Sequence, residues 1–148
     1  MRPVFTHVAL AVKDLERTIA FYRRHVHLHV VHQRVDAGKH VAWLADRAED
    51  AEVVLVLLET PDGVERGPRT LQHLGFAVAS REEVDQAATQ GRADGVLVLE
   101  PLDGGPIVGY FCLIEDPDGN SVEFSFGQPI NPRQLPSGRS SGDRPSPS

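Results

Sequence analysis

The feature that most constrains this chain is an internal repeat. Residues 7–12 (HVALAV) match residues 73–78 (HLGFAV). Each segment begins with histidine, alternates small with large apolar residues, and is followed by a helical pattern. Because the match recurs at corresponding places in both halves of the chain, the sequence predicts two copies of one structural unit.

Each half has the pattern of a strand, a helix and three further strands. In the first half, Asp14 is placed to cap the helix, and in the second half Ser80 and Glu83 form a capping box. The predicted elements of the first half are a strand over 4–12, a helix over 13–24, and strands at about 28–35, 39–45 and 52–58. Those of the second half are a strand over 71–79, a helix over 81–91, and strands at about 96–100, 107–115 and 121–126. The pattern predicts an α+β fold built from two βαβββ modules.

The last twenty residues differ in composition from the rest of the chain. From 129 to 148 the sequence is rich in Pro, Ser and Gly and nearly free of large apolar residues. Such a segment buries too little surface to offset the entropy lost on ordering, so we predict a disordered tail. The folded part is expected over 4–128, with one module at about 4–60 and the other at about 70–128.

Charge and hydropathy exclude several classes of partner. The formal net charge of −6 argues against nucleic acid, and no apolar run approaches the length of a membrane span. The first residues lack the apolar stretch of a signal peptide. Cys112 is the sole cysteine and lies in an apolar run, so we expect a buried, unreactive thiol and a cytoplasmic protein.

Three ionisable residues lie on the small-residue faces of predicted strands. Side chains alternate along a strand, so His7, His73 and Glu123 each share a face with Ala, Gly or Ser, and the large apolar residues take the opposite face. Two histidines and one carboxylate leave open coordination positions on a divalent ion such as Fe²⁺, Mn²⁺, Zn²⁺, Ni²⁺ or Co²⁺. Their matching places in a duplicated unit favour one metal site over three unrelated polar residues.

Three motifs resemble the vicinal oxygen chelate superfamily. They are residues 7–22 (HVALAVKDLERTIAFY), 72–78 (QHLGFAV) and 115–124 (EDPDGNSVEF). The superfamily includes glyoxalase I, fosfomycin-resistance transferases, extradiol dioxygenases, methylmalonyl-CoA epimerase and bleomycin-binding proteins. The resemblance implies curved mixed sheets around a metal-binding cleft. It also implies that the metal ligands are His7, His73 and Glu123.

The resemblance does not single out one activity. Glyoxalase I and the epimerase use a fourth metal ligand, whose position aligns with Leu55. Shifting the alignment by two residues gives Leu57. Shifting it by four residues would bring in Glu59 as a ligand, but a place at the solvated end of the strand is the expectation for Glu59. The tyrosine that dioxygenases and fosfomycin enzymes direct at their substrate is replaced by Leu113, and Tyr110 has the opposite strand parity. Extradiol dioxygenases also need an acid–base histidine in this region, and no histidine follows His73. We therefore assign no catalytic residue.

Other residues leave alternatives open. The cluster of His25, His27, His29 and His32, with His40 nearby, is either a second metal site or, as we expect, a solvated helix end and strand edge. Trp43 is expected in the core or lining the cleft, where it can stack on a substrate.

Two functions follow from this interpretation. The favoured one is a metal-dependent lyase, dioxygenase or transferase acting on a small oxygenated metabolite. The alternative is a binding or antibiotic-resistance protein that sequesters a small molecule in the same cleft. Because two modules form a small core, we also expect a homodimer. The site then lies within one chain, or His7 of one chain joins His73 and Glu123 of the other.

Overall fold

The computed structural model describes residues 5, 7–62, 71 and 73–129 of the chain. In the first module the elements are β1 (His7–Val12), α1 (Leu15–His25), β2 (His29–Asp36), β3 (Lys39–Ala45) and β4 (Val54–Glu59). In the second they are β5 (Leu74–Ala77), α2 (Arg81–Ala93), β6 (Leu97–Asp103), β7 (Tyr110–Glu115) and β8 (Ser121–Phe126). The predicted βαβββ order is confirmed in both halves. β5 is shorter than predicted and β6 longer, and the predicted tail beyond Pro129 lies outside the described residues.

Both helices begin at the predicted caps. The Asp14 carboxylate accepts a hydrogen bond from the Arg17 backbone N–H at 2.9 Å. The Ser80 hydroxyl accepts one from the Glu83 N–H at 3.2 Å. The capping box of α2 differs from the prediction, because the Glu83 carboxylate accepts from the N–H of Ala79, one residue before the cap.

Each module forms its own four-stranded mixed sheet. The strand orders are β1-β4-β3-β2 and β5-β8-β7-β6. β1 pairs with β4, and β5 with β8, in parallel, while the remaining pairs are antiparallel. The first strand of each module therefore lies beside the last, and residues far apart in the sequence become neighbours on one face.

The two helices and one face of each sheet enclose a common core. α1 packs on β3, β4 and α2, and α2 packs on β6, β7 and β8. Leu10 and Val12 of the first sheet and Ile114 and Val122 of the second belong to one buried cluster. Because both apolar faces turn toward this core, the opposite faces of the two sheets turn away from it.

Polar contacts also join the modules. The Tyr22 hydroxyl, on α1, donates to the Asp116 carboxylate at 2.8 Å, and both residues are buried. The backbone N–H of Lys13 donates to Asp118 at 3.0 Å. Asp116 and Asp118 belong to the turn before β8, so this turn both shapes the last hairpin and holds the first module. Neither described helix is long and apolar enough to cross a membrane.

Candidate metal site

The second sheet brings His73 and Glu123 together. The parallel pairing of β5 with β8 sets Gly75 beside Glu123, and His73 stands just before β5. The distance from His73 Nε2 to Glu123 Oε2 is 3.7 Å. That is too long for a hydrogen bond, so the two groups face one space without closing it.

The Glu123 carboxylate lacks the partners that a buried acid needs. The residue is 5% exposed, and its Oε1 atom is buried with no hydrogen-bond partner. A carboxylate buried in this way is costly unless a cation or donors satisfy it. Gly75 lies alongside, where a Cβ would come within 3.9 Å of Oε1. An acid without a partner beside an imidazole fits a divalent cation as its missing partner.

Asp116 shows the contrast with a structural carboxylate. It is 4% exposed, yet it accepts hydrogen bonds from Tyr22, from the backbone N–H groups of Asp118 and Asn120, and from the Asn120 side chain. This acid is satisfied within the fold. The orphaned oxygen of Glu123 is therefore a local feature and is not shared by the other buried acid of the second module.

The structure places His7 on the predicted face but does not join it to the other two residues. On β1, His7, Ala9 and Ala11 are exposed, while Leu10 and Val12 are buried, as the alternation predicted. Among the described residues, no three His, Cys, Asp or Glu side chains come together as a metal would require. The physical reason is the common core: with both apolar faces turned inward, the His7 face and the Glu123 face of one chain turn away from each other.

The prediction for a fourth ligand needs a correction of register. Ala9 pairs with Val56 as Gly75 pairs with Glu123, so the equivalent of Glu123 is Val56 and not Leu55. Leu55 and Leu57 pair with the core-facing residues of β1. Counting back from Pro61 and Pro129 gives Leu55, because the second module has one more residue between β8 and Pro129 than the first has between β4 and Pro61.

Glu59, the alternative fourth ligand, makes a structural contact. It pairs with Val12, which faces the core, and its carboxylate accepts a hydrogen bond from the Leu15 backbone N–H at 3.3 Å. The side chain therefore lies at the N-terminus of α1, where a negative charge is favourable.

The replacement of a tyrosine by Leu113 is visible at the site. Leu113 pairs with Glu123, so their side chains share one face of the second sheet. Tyr110 has the opposite parity, as predicted: its hydroxyl donates to Asp85 of α2 at 2.6 Å. Neither tyrosine of the chain stands beside Glu123.

The histidine cluster does not assemble into a second metal site within the described part of the chain. His27, His29, His32 and His40 are exposed, as expected for a strand edge. His25 differs, since its side chain is 4% exposed and its Nε2 lies 3.1 Å from Asp94. Burial lowers the pKa of His25, and nearby Asp94 only partly opposes that shift.

Cys112 is a buried thiol, as predicted. It is fully buried, and desolvation raises its pKa to about 11. A thiol kept in its neutral form has no role as a nucleophile.

The sequence did not reveal the surroundings of Trp43. Trp43 pairs with Val56 on one side and with His32 on the other, which puts it on the His7 face. The His32 ring centroid is 4.9 Å from the Trp43 ring, and the Arg34 guanidinium carbon lies 5.4 Å from the same ring. Strand parity puts His32 and Arg34 on one face of β2, but only the register between β2 and β3, which shifts at the bulge between Val30 and His32, shows that this is the Trp43 face.

Comparisons with known proteins agree with this architecture. Residues 4–124 match the family model of the Glyoxalase/Bleomycin resistance protein/Dioxygenase superfamily. The chain is 41% identical over 137 residues to the uncharacterised protein PA2024 of Pseudomonas aeruginosa, covering 89% of this chain and 94% of that protein.

Two solved structures show the same fold. A possible glyoxalase of Bacillus cereus is 26% identical with a TM-score of 0.63, over 82% of this chain and 96% of that one. A FosX fosfomycin resistance protein of Listeria monocytogenes, in complex with Mn(II) and 1S,2S-dihydroxypropylphosphonic acid, is 24% identical with a TM-score of 0.66, over 91% of this chain and 100% of that one. With the duplicated βαβββ sheets and the family match over most of its length, the chain belongs to the glyoxalase/bleomycin resistance/dioxygenase superfamily.

Proposed function

We propose that this protein is a divalent-metal-dependent enzyme acting on a small oxygenated metabolite, with His7, His73 and Glu123 as its metal ligands. The observation that carries the proposal is the buried Glu123 carboxylate, whose Oε1 has no partner while Oε2 faces His73. A bound cation would remove the cost of that burial. No fourth protein ligand is expected, since Val56 occupies the equivalent place in the first module.

We propose further that each site is shared between two chains of a homodimer. Within one chain the His7 face and the Glu123 face both turn away from the common core, so one copy cannot close a three-residue site. Exchange of modules between two copies would set the His7 face of one protomer against the Glu123 face of its partner. Both faces carry small residues near the ligands, including Ala9, Ala11 and Gly75, which leave room for a ligand between them.

In this site the protein's own residues have distinct tasks. His73 and Glu123, on one wall, would supply an imidazole and a negative charge to the ion, and His7 would close the set from the other wall. Leu113, beside Glu123, would keep water away from the carboxylate. When bound, a divalent ion acts as a Lewis acid toward the oxygens of a substrate.

The structural relatives support a metal of this kind. The FosX protein binds Mn(II) together with a molecule that carries two neighbouring hydroxyl groups. A small oxygenated ligand on an open metal is therefore compatible with this fold. A protein that sequesters its ligand without metal is the alternative, and it would need no cation beside Glu123.

Metal analysis of the purified full-length protein tests the assignment. We expect about one Fe, Mn, Zn, Ni or Co ion per chain, and loss of it in His7→Ala, His73→Ala and Glu123→Gln. Substitution of His40, which is exposed and on no proposed site, is the control. Equal metal uptake by wild type and His73→Ala would overturn the metal-enzyme proposal and favour sequestration.

Mixing two defective variants tests the shared site. If sites are exchanged, a heterodimer of His7→Ala and Glu123→Gln chains has one intact site and one doubly defective site. Random mixing should then restore about a quarter of the wild-type metal sites. If sites lie within one chain, every site of the mixture keeps one defect and no binding returns.

A further inference from the structure

We infer that the His7 face also carries a subsite for an oxyanion of the substrate, formed by the Trp43 indole N–H and the Arg34 guanidinium. The inference deepens the proposed function and rests on it for the metal-bound end of the substrate. It names the substrate class: a small anionic molecule that has metal-binding oxygens at one end and a carboxylate or a chemically similar oxyanion at the other.

The His7 face carries an unsatisfied hydrogen-bond donor. Trp43 Nε1 is buried and has no hydrogen-bond partner. A buried N–H without an acceptor destabilises a protein, so a tryptophan retained in this state indicates an acceptor that arrives from outside the chain. The indole can only donate, and its natural partner is an oxygen that carries negative charge.

A positive charge lies beside that donor. Arg34 lies over the Trp43 ring, and Asp36 takes its Nε–H at 2.7 Å. A guanidinium has five N–H donors, so its terminal amino groups remain available to a second anion. The neighbouring His32 ring is exposed and lies 4.9 Å from the indole ring. In a protein of net charge −6, this is a local concentration of donors.

Trp43 lies within a small molecule's length of the proposed ligand His7. Ala9, Val56, Trp43 and His32 form one row across the four strands, and His7 lies two residues from that row. Neighbouring strands are about 4.8 Å apart, so Trp43 lies about 10 Å across the sheet from β1. A small metabolite spans that distance with one end at the metal and the other at the indole.

The opposite wall of the proposed cleft would contact the middle of the bound ligand. On the Glu123 face, Leu113 pairs with Glu123, Phe111 pairs with Ser125, and Leu99 pairs with Leu113. These side chains offer apolar contact and no positive charge. Donors on one wall and apolar groups on the other select a ligand with an anionic end and an apolar body.

The single tryptophan gives a direct measurement of the subsite, because the full-length protein has one indole N–H resonance. Metal-free protein is titrated with sodium propionate and, separately, with sodium methylphosphonate, against sodium chloride at equal ionic strength. We expect a saturable downfield shift of the indole proton with at least one of the two anions, and whichever binds more tightly identifies the oxyanion. Arg34→Gln should weaken binding about tenfold, the effect of one charge-assisted hydrogen bond. Arg92→Gln, another ion-paired surface arginine, is the control.

A second arm links the subsite to the metal. Mn²⁺-loaded protein is titrated calorimetrically with succinic, glutaric and adipic monohydroxamates. The uncharged counterparts are the propionyl, butyryl and valeryl hydroxamates, which have the same alkyl chains without the carboxylate. At least one acid should bind about tenfold more tightly than its uncharged counterpart, and Arg34→Gln should remove that advantage.

The two proposals fail in different ways. If the indole signal ignores both anions, or shifts equally with chloride or in Arg34→Gln, the subsite is overturned. Equal affinity for charged and uncharged hydroxamates on a metal-loaded protein overturns it as well and leaves the metal site standing. If the protein binds no metal but the anion still shifts the indole signal through Arg34, the subsite stands and the proposed function fails.

Discussion

The two modules have the same strand order but differ in the side chains that they bury. At the place where the second module has Glu123 beside Gly75, the first has Val56 beside Ala9. In the part of the chain that the structure describes, both buried acids, Asp116 and Glu123, belong to the second module. The first module instead supplies His7 and the donors around Trp43.

The helices differ in the same way. Eight residues after its N-cap, α1 has the buried Tyr22, which reaches the Asp116 carboxylate of the other module, while α2 has Ala88 at that position. Duplication has kept the backbone, and side chains at equivalent positions have taken separate tasks. In the proposed metal site, two ligands would come from the second module and one from the first.

The two buried acids should separate function from structure, and this is the largest effect we expect. Glu123→Gln should lower metal affinity at least about 100-fold, because even changes in the outer shell of a metal site cost up to that much. It should leave metal-free stability unchanged or raised, since an amide is less costly to bury than an unpaired carboxylate. Isothermal titration with Mn²⁺ and urea unfolding measure the two quantities.

Asp116→Asn is the matched control for that experiment. It should reduce the free energy of unfolding by about 2 kcal/mol or more, because four donors lose a charged acceptor, and it should leave metal affinity unchanged. Metal affinity that fell equally in both variants would contradict the division between a functional and a structural acid.

Removing the hydrogen bond between the modules should have the next-largest effect. Tyr22→Phe should cost about 1.5–3 kcal/mol of unfolding free energy, the range for a hydrogen bond to a charged group. Tyr110→Phe removes the other tyrosine hydroxyl of the chain, whose partner Asp85 is exposed, and should cost less. Equal losses in urea unfolding would mean that the bond between modules adds nothing beyond an ordinary surface contact.

Alternation along the strands predicted the faces correctly, because side-chain direction is a local property of each strand. The burial of Leu10 and Val12 opposite His7 follows from it directly. Register between strands is not local, and one added residue after β8 displaced the predicted equivalent of Glu123 by a single position. Displacement by one residue changes the face, so Leu55 and Glu59 both pair with core-facing residues of β1 and do not lie at the equivalent of Glu123.

The separation of His7 from Glu123 within one chain could not be predicted from the sequence, for a different reason. The repeat shows that two modules exist and are similar, but it contains no information on which faces pack together. That choice depends on contacts such as Tyr22 with Asp116 and Arg24 with Asp94, which join residues 70 or more positions apart. The orphaned oxygen of Glu123 likewise appears only once the core is assembled.

Close packing between α2 and its sheet sharpens the comparison of the helices. Eleven residues after its N-cap, α2 has the buried Gly91, whereas α1 has His25. A Cβ at Gly91 would lie 2.7 Å from Ile114 Cγ2. Gly91→Ala should therefore destabilise the protein by about 1–2 kcal/mol, because overpacking exceeds the gain in helix propensity.

A double-mutant cycle with Ile114→Ala checks that cause. If the clash is responsible, the double variant loses less stability than the sum of the two single losses in urea unfolding. Strict additivity would locate the effect of Gly91→Ala elsewhere.

His25, at the equivalent position of α1, gives the smallest effect and one that depends on pH. Burial lowers the pKa of His25 in the folded protein, whereas in the unfolded chain His25 takes up a proton near its ordinary pKa of about 6.5. The unfolded state then binds more protons on acidification, and stability falls as the pH drops through that value. The pKa of Asp94 is lowered, chiefly by Arg24, so that acid stays ionised between pH 7.5 and 5.5.

Urea unfolding at pH 7.5 and 5.5 isolates this contribution. Wild type should lose stability on acidification, His25→Gln should lose less, and the exposed His40→Gln should behave as wild type. The comparison of variants matters more than the total change, because other groups also titrate in this range. An unchanged loss in His25→Gln would mean that the imidazole is solvated in solution. The end of α1 would then be more open than its contact with Asp94 indicates, and α1 would differ from α2 in how firmly its last turn is packed against the second module.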